Sequence, residues 1–314
     1  MSSLSTNNIY DGTGGNNAIL NGVANSIGGA MFRNRVINGD FRVDQRFGGT
    51  SLSVTAGATT LQYGPDRWQV RCAGAGVSAQ QIALTSNQRR LRITGAASVT
   101  AVAAIQKIEA FNCMDLVSQS VTVSLLASSS SLTSLTIELY HANSFDTFGT
   151  WGSPSLTTIG TQNVTISSTE QRVSATFTLP SSATTGLELR ITGGALLASQ
   201  TLTIGDVQLE GGTVASNFER RPISVELAAC QRYYEFTNFS MYSPIASGTN
   251  VMIRGFAVWK RVSPTLITNS TFTANVSSAS FLSVAQDFYR GVIVATSGGA
   301  AEWTGTVAGN AEFA

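Results

Sequence analysis

This sequence has little charge. Only 12% of its 314 residues are charged, and 19 Lys and Arg against 18 Asp and Glu leave a net charge of +1. That balance offers no electrostatic attraction to nucleic acid or to an anionic membrane surface. Histidine is nearly missing, with His141 alone in Tyr140-His141-Ala142-Asn143. Zinc sites draw on several His or Cys ligands. A catalytic triad needs a nucleophile and an acid beside its base, and no G-x-S-x-G elbow is present. His141 therefore reads as a structural polar residue. Glu109, Asp115, Glu138, Asp146, Glu170 and Glu188 are scattered and nominate no glycosidase pair. The Gly-rich start follows no strand and carries no phosphate-binding lysine. The expectation is a non-enzymatic protein with no catalytic and no cofactor-binding residues.

Long apolar runs are absent too: none approaches the roughly 20 residues of a membrane span. The start, MSSLSTNNIYDGTGGNN, has neither a basic region nor an apolar core, so it does not read as a signal peptide. The 3 cysteines, Cys72, Cys113 and Cys230, are odd in number and flanked mainly by small or apolar residues. They read as buried free thiols in a protein made in a reducing cytoplasm, with a disulfide pair as the alternative.

Abundant Gly, Ser and Thr mark a chain of many turns. From Asn34 to about Pro222 short strands succeed one another. Val36–Val43 opens the series and Trp68–Arg71 follows. Gln80–Leu84 and Arg89–Thr94 flank the turn Ser86-Asn87, and Ile105–Ile108 comes next. Alternating sets then run through Val121, Val123, Leu125; Leu135, Ile137, Leu139; Val173, Ala175, Phe177, Leu179; and Leu187, Leu189, Ile191. Such a series predicts an antiparallel two-sheet sandwich.

Residues 1–33 lack the apolar content for a core. Their spaced apolar residues, Ile9, Tyr10, Ile19, Leu20, Val23 and Ile27, suit either a loose tail or an extended arm laid into a groove on another protein. In Ile204–Tyr234, Gly205-Asp206 interrupts a strand as a bulge would. Gly211-Gly212 breaks it, and Pro222 stops extended pairing. Ser224 suits a helix N-cap, and Leu227, Cys230 and Tyr234 recur on one face of a short helix over Val225–Tyr234. Residues 237–314 read as a small β domain. It holds the alternating Val251, Ile253, Gly255, Ala257, Trp259, then strands near Thr265–Ala274 and Ser280–Val284 and around Val292. So small and charge-poor a domain would gain from burying shared faces in an oligomer.

The run GDVQLEGG…SNFERRPISVELAACQRYYE resembles a segment of many bacteriophage tail-fibre and related virion proteins. Asn34 to Arg46 (NRVINGDFRVDQR) is similar to that family's domain opening, and Tyr63-Gly64-Pro65-Asp66-Arg67-Trp68 to its PDRW block. The resemblance covers about two-thirds of the chain and implies four segments. Residues 1–33 would be a virion-attachment arm and 34–222 a jelly roll like that of carbohydrate-binding modules. Residues 223–236 would be a connecting helix and 237–314 a distal trimerising β domain.

It further implies an all-β virion appendage, a homotrimer docked on other virion proteins, with Leu227, Cys230 and Tyr234 near the threefold axis and a host surface glycan as ligand. The alternative is a capsid or baseplate brace without receptor binding. A polysaccharide-degrading enzyme is the weakest reading. In related modules an Asp at the place of Asp206 helps hold calcium, but Arg42 stands where a Glu is usual; a salt bridge from Asp206 or Glu210 to Arg42, Arg46 or Arg67 is the other reading. Charged pairing around Asp66-Arg67 and Glu219-Arg220-Arg221 is expected, with Trp68 in the core. Flat aromatic faces stack on sugars. Phe145, Phe148 and Trp151 in one turn-rich loop are therefore the candidate contacts, joined by Trp259 and Trp303 in the C-terminal part.

Overall fold

The computed structural model describes residues 19–20, 23–24, 32–57, 62–272 and 275–313. Strands β1 (Ile19–Leu20) and β2 (Val23–Ala24) pair antiparallel. Of the expected docking residues, Ile19, Leu20 and Val23 fall in this hairpin. Ile9, Tyr10 and Ile27 lie outside the described residues.

Thirteen strands follow up to residue 211: β3 (Leu52–Val54), β4 (Gln69–Ala73), β5 (Val77–Ala83), β6 (Arg89–Thr94), β7 (Ala101–Ile108), β8 (Ser120–Ser129), β9 (Ser134–Ala142), β10 (Gly149–Thr150), β11 (Ser153–Pro154), β12 (Leu156–Thr165), β13 (Gln171–Thr178), β14 (Leu187–Gly193) and β15 (Thr201–Gly211). Eleven of them build a five-stranded sheet, β12-β9-β14-β7-β4, facing a six-stranded one, β13-β8-β15-β6-β5-β3, and β10 and β11 pair as a separate two-stranded hairpin. β12, β13, β14 and β15 alternate between the two sheets, the crossing pattern of a jelly-roll sandwich. Alternation fixes the faces. Val121, Val123 and Leu125 of β8 meet Leu135, Ile137 and Leu139 of β9 and Leu187, Leu189 and Ile191 of β14 in one core, with Trp68 fully buried among them. β5 and β6 pair across the turn expected for them.

Val36–Val43 is not a strand. Asn38 and Phe41 hold φ of 57° and 56°, left-handed values that no strand admits. The segment is an irregular plug laid along β15: the Arg35 N–H donates to Leu209 O (2.8 Å) and the Val207 N–H to Gly39 O (2.9 Å). A Cβ on Gly39 would strike the Val207 carbonyl, so only glycine permits the approach. The bulge expected at Gly205-Asp206 is present: the pairing of β15 with β8 shifts between Gly205 and Gln208, and Asp206 has φ 46°.

The helix also differs from expectation. α1 spans Ile223–Gln231 and has no side-chain cap; the N–H groups of Val225 and Glu226 donate to Pro222 O at 3.0 and 3.1 Å. Ser224 is not its cap, and Tyr234 is not on it. Tyr234 opens β16 (Tyr234–Ser243), which with β17 (Thr249–Gly255), β18 (Thr265–Phe272), β19 (Val276–Val284), β20 (Phe288–Ala295) and β21 (Ala301–Asn310) forms two three-stranded sheets, β16-β21-β18 and β17-β20-β19. Phe239, Met241, Tyr289, Ile293, Trp303 and Val307 form their core. Trp259, expected to continue the alternation of β17, lies outside any strand.

All three cysteines are free thiols: Cys113 and Cys230 are buried and Cys72 is half-buried. His141 is buried, with Nδ1 3.0 Å from Ala142 O and Nε2 3.2 Å from the Ser182 hydroxyl, a structural placement.

Candidate functional site

The motifs behind the family resemblance converge on one place, and it is structural. The Asn38 amide donates to Val43 O (2.7 Å) and Asp66 O (2.9 Å) while its oxygen accepts from Val43 N–H (2.9 Å). Its backbone carbonyl takes the Trp68 indole N–H at 3.0 Å, and its N–H bonds the buried Glu226 of α1. The Arg67 guanidinium lies 3.5 Å over the Tyr233 ring, donates to Lys107 O (2.5 Å) and pairs with Glu312. Arg46 sits 3.8 Å over Tyr234, and Gln45 Nε2 donates to Tyr234 O (2.8 Å). Phe148, Tyr233 and Phe313 close the joint with a small apolar cluster. This block fastens the jelly roll to the C-terminal sandwich. It also uses up the stripe expected at a threefold axis: Cys230 is fully buried within the chain, Tyr234 lies under Arg46, and only Leu227 is half-exposed.

Burial pushes the Asp66 carboxyl up to about 6, against Arg46 and the Gln45 bonds. Below its ordinary value of 3.8 it is protonated folded or unfolded; between 3.8 and about 6 only the folded chain keeps the proton. Stability contributed here therefore falls as pH rises through that window. Urea unfolding at about pH 4 and about pH 6.5 should show the parent losing up to about 3 kcal/mol relative to Asp66→Asn. Parallel pH profiles would contradict it.

Calcium does not fit at Asp206. The Arg90 side chain, almost fully buried, crosses the bulge against Gly205; it binds Glu170 through Nε (2.7 Å) and Nη2 (2.9 Å) and lies 3.4 Å from Asp206. Arg220 lies 3.8 Å from both Asp206 and Asp40, and Arg42 pairs with Asp40 at 2.5 Å. Guanidinium groups hold the place a cation would take. Neither expected salt bridge forms: Asp206 pairs with Arg90 and Arg220, and Glu210 with Arg33 at 3.5 Å. The Glu219-Arg220-Arg221 run pairs within the chain, Arg221 reaching Glu226 at 3.4 Å. Among the described residues, no group of three or more His, Cys, Asp or Glu could hold a metal.

The chemically equipped surface is the outer face of the five-stranded sheet. Strand register places Glu138 beside Arg190, Tyr140 beside Glu188, and Glu188 beside Lys107. Arg190 binds Glu188 at 2.6 Å and covers the Tyr140 ring at 4.4 Å. Glu138 accepts from the Tyr140 hydroxyl (3.1 Å) and the Thr192 hydroxyl (2.9 Å). Such bonds fix these polar side chains to one another along the sheet. The β10–β11 hairpin lays Trp151 over this row, its ring 5.2 Å from the Arg71 guanidinium and 4.9 Å from that of Arg190. One ring face rests on cations; the residue is 42% exposed.

The other expected contacts part company here. Phe148, in the same loop, is 3% exposed and packs edge-on to Phe313 at 4.8 Å. Trp303 is 3% exposed between Phe239 and Phe281. Neither can stack on a ligand; each is an apolar ring filling a core. Phe145 is half-exposed and meets Phe111, not the Trp151 row. Trp259 is exposed, its indole N–H donating to Gln286 Oε1 at 2.9 Å. Sequence reading missed Tyr140, Glu138, Glu188, Arg190, Arg71 and Lys107. Part of the signal was there: Glu138 and Tyr140 of β9 and Glu188 and Arg190 of β14 alternate with core residues.

No protein-family model and no curated protein matches the sequence. Among solved structures the fold is similar to a CBM4 domain, 17% identical over 56% of this chain and 98% of that one, TM-score 0.34. It is also similar to the family 22 carbohydrate-binding module of Clostridium thermocellum Xyn10B, 15% identical over 51% and 99%, TM-score 0.33. A third is the enzymatically active domain of bacteriophage CBA120 tailspike protein 4, 11% identical over 57% of this chain and 22% of that one, TM-score 0.37. The jelly-roll part is an all-β two-sheet sandwich.

Proposed function

We propose that the protein is a non-enzymatic bacteriophage virion appendage that binds a cell-surface glycan on the outer face of its five-stranded sheet. The observation that carries the reading is the Trp151–Arg190–Tyr140 platform, an exposed aromatic ring beside polar heads fixed by Glu188 and Glu138. Rings stack on the C–H faces of sugars, and pre-fixed polar groups bond hydroxyls at low entropic cost. The residue motifs of the joint supply the virion assignment by their resemblance to tail-fibre proteins. Isothermal titration against host-envelope polysaccharide tests the glycan arm: saturable binding without release of reducing ends supports it, and no binding contradicts it.

Homotrimerisation belongs to the same proposal, now seated in the C-terminal sandwich. Phe236, Tyr242, Ile253, Ile267 and Phe272 expose 45–70% of their surface there, more apolar surface than one small unit usually leaves uncovered. Light scattering at micromolar concentration is expected to give a trimer; a monomer contradicts it. The N-terminal arm is the virion attachment: deletion of residues 1–33 is expected to leave a soluble, folded protein that no longer enters particles. Normal incorporation would remove the docking role. One observation favours the alternative brace without a receptor: the space beneath Trp151 amounts to about 10 Å³, room for one water.

A further inference from the structure

Each sheet of the C-terminal sandwich has only three strands, so most of its strands are edges. In the sheet β16-β21-β18 those edges lack the usual protection. Soluble proteins blunt an open edge with charge, above all lysine, or with proline. β16 and β18 hold one charged residue between them, Glu235, which is buried against Lys260, and no proline. Register places matched residues at the two edges. One row across the outer face runs Phe236, Ala308, Ile267; one across the inner face runs Met241, Trp303, Phe272. The middle residues, Ala308 and Trp303, are buried. Phe236 at one edge and Ile267 and Phe272 at the other expose 45–53% of their surface. Phe272 stacks on Trp303, ring centroids 5.9 Å apart, and about half of it stands clear of the core. At the opposite edge Met241 lines a groove of about 360 Å³ between β16 and β17. Asn250 and Arg254 of β17 reach across to Tyr242 O (2.5 Å) and Asn238 O (2.6 Å) and fix its walls.

We infer that this sheet is completed by a second copy of the chain, the β18 edge of one protomer seating against the β16 edge of the next. The inference rests on the trimer reading above and adds the surfaces that meet. Continuing both rows in register sets Ile267 beside Phe236 of the partner subunit, and Phe272 at the groove beside Met241 of the partner subunit. Apolar meets apolar in both rows, a sulfur faces a ring in the second, and no charge has to leave water. The two edges are different surfaces, so the contact is head to tail, and it leaves no edge open only when a ring closes. β16 and β18 both run antiparallel to β21, so they point the same way and can meet about an axis along the strands. A partner of other sequence would have to match one edge and leave the other bare; a second copy covers both.

The test damages one edge of the full chain at a time. Phe236→Lys and Ile267→Lys alter exposed positions, so each is expected to fold, and each alone is expected to be a monomer by light scattering at micromolar concentration. Mixed one to one, they are expected to form a dimer and nothing larger, since each pair keeps one undamaged contact. A contact of like edges could not recover in this way. The second variant carries Ser240→Cys and Thr271→Cys in one chain. Both positions pair with Thr304, from opposite sides. Within one chain, therefore, two strand spacings, about 10 Å, hold the new thiols too far apart for a disulfide. Mild oxidation is expected to link copies into covalent trimers, which the parent with its native thiols does not form. Lysine variants that remain trimers, a mixture of folded variants that stays monomeric, or a cysteine pair that stays unlinked in a trimeric protein overturns the edge contact and leaves the trimer standing. A parent that is itself a monomer overturns both and gives these edges to a partner of other sequence.

Discussion

Arg67→Ala is expected to cost about 3–5 kcal/mol of folding stability, the range for removing one partner of a buried ion pair. Arg67 is 1% exposed, and its guanidinium meets three things at once: the Glu312 carboxylate, the Lys107 carbonyl and the Tyr233 ring. Removal leaves Glu312 buried with only Arg46, at 3.3 Å, to answer it. It also opens a void under Tyr233 where the chain passes from α1 to β16. The loss should be regional as well as global. Limited proteolysis of the variant is expected to cut near residues 231–234 and release a stable jelly roll, since the sandwich core does not depend on Arg67. Glu312→Gln, which keeps the shape and removes the charge, should show the same cutting with a smaller loss. An Arg67→Ala protein that unfolds at the parent's urea midpoint and resists protease equally would mean that the joint is held by its apolar cluster alone.

Arg90→Met is the second large effect. The side chain is 1% exposed and spans the bulge between Glu170 and Asp206. Methionine keeps most of the apolar stem but removes the closest guanidinium from the bulge carboxylates, leaving Arg220 at 3.8 Å from Asp206. A loss of about 3 kcal/mol is expected. In the same experiment, chelator added to the parent is expected to leave the melting temperature unchanged, because arginine supplies the positive charge at Asp206. A parent that melts lower in chelator would put a metal back at the bulge.

The strands of the core were legible wherever one face is apolar and the other polar. Val121, Val123 and Leu125 alternate with Thr122 and Ser124, and β8 is where that alternation predicts it. β12 was not legible: LTTIGTQNVT is an edge strand with mostly exposed positions, so little apolar alternation is required of it. The Val36–Val43 plug deceived for the opposite reason. Its apolar residues do enter the core, but Asn38 and Phe41 bend the backbone back, a tertiary constraint that no local pattern announces. The bulge at Gly205-Asp206 was readable from the glycine, and its occupant was not, since Arg90 comes from a strand more than a hundred residues earlier. In the candidate site, Trp151 could be picked out as an aromatic in a turn-rich loop. Its neighbour Phe148 looked the same in sequence and is buried because Phe313, from the far end of the chain, packs on it.

The outer-face account is tested most directly by comparing Trp151→Ala with Trp303→Ala in two measurements, affinity for host-envelope polysaccharide by calorimetry and thermal melting. Trp151 is predicted to carry binding: its removal should cost about 1–3 kcal/mol of affinity and leave melting nearly unchanged. Trp303 is core: its removal should cost about 3–5 kcal/mol of folding stability, with binding retained by whatever fraction stays folded. A Trp151→Ala protein that binds the polysaccharide as tightly as the parent, or that melts as early as Trp303→Ala, would contradict the account.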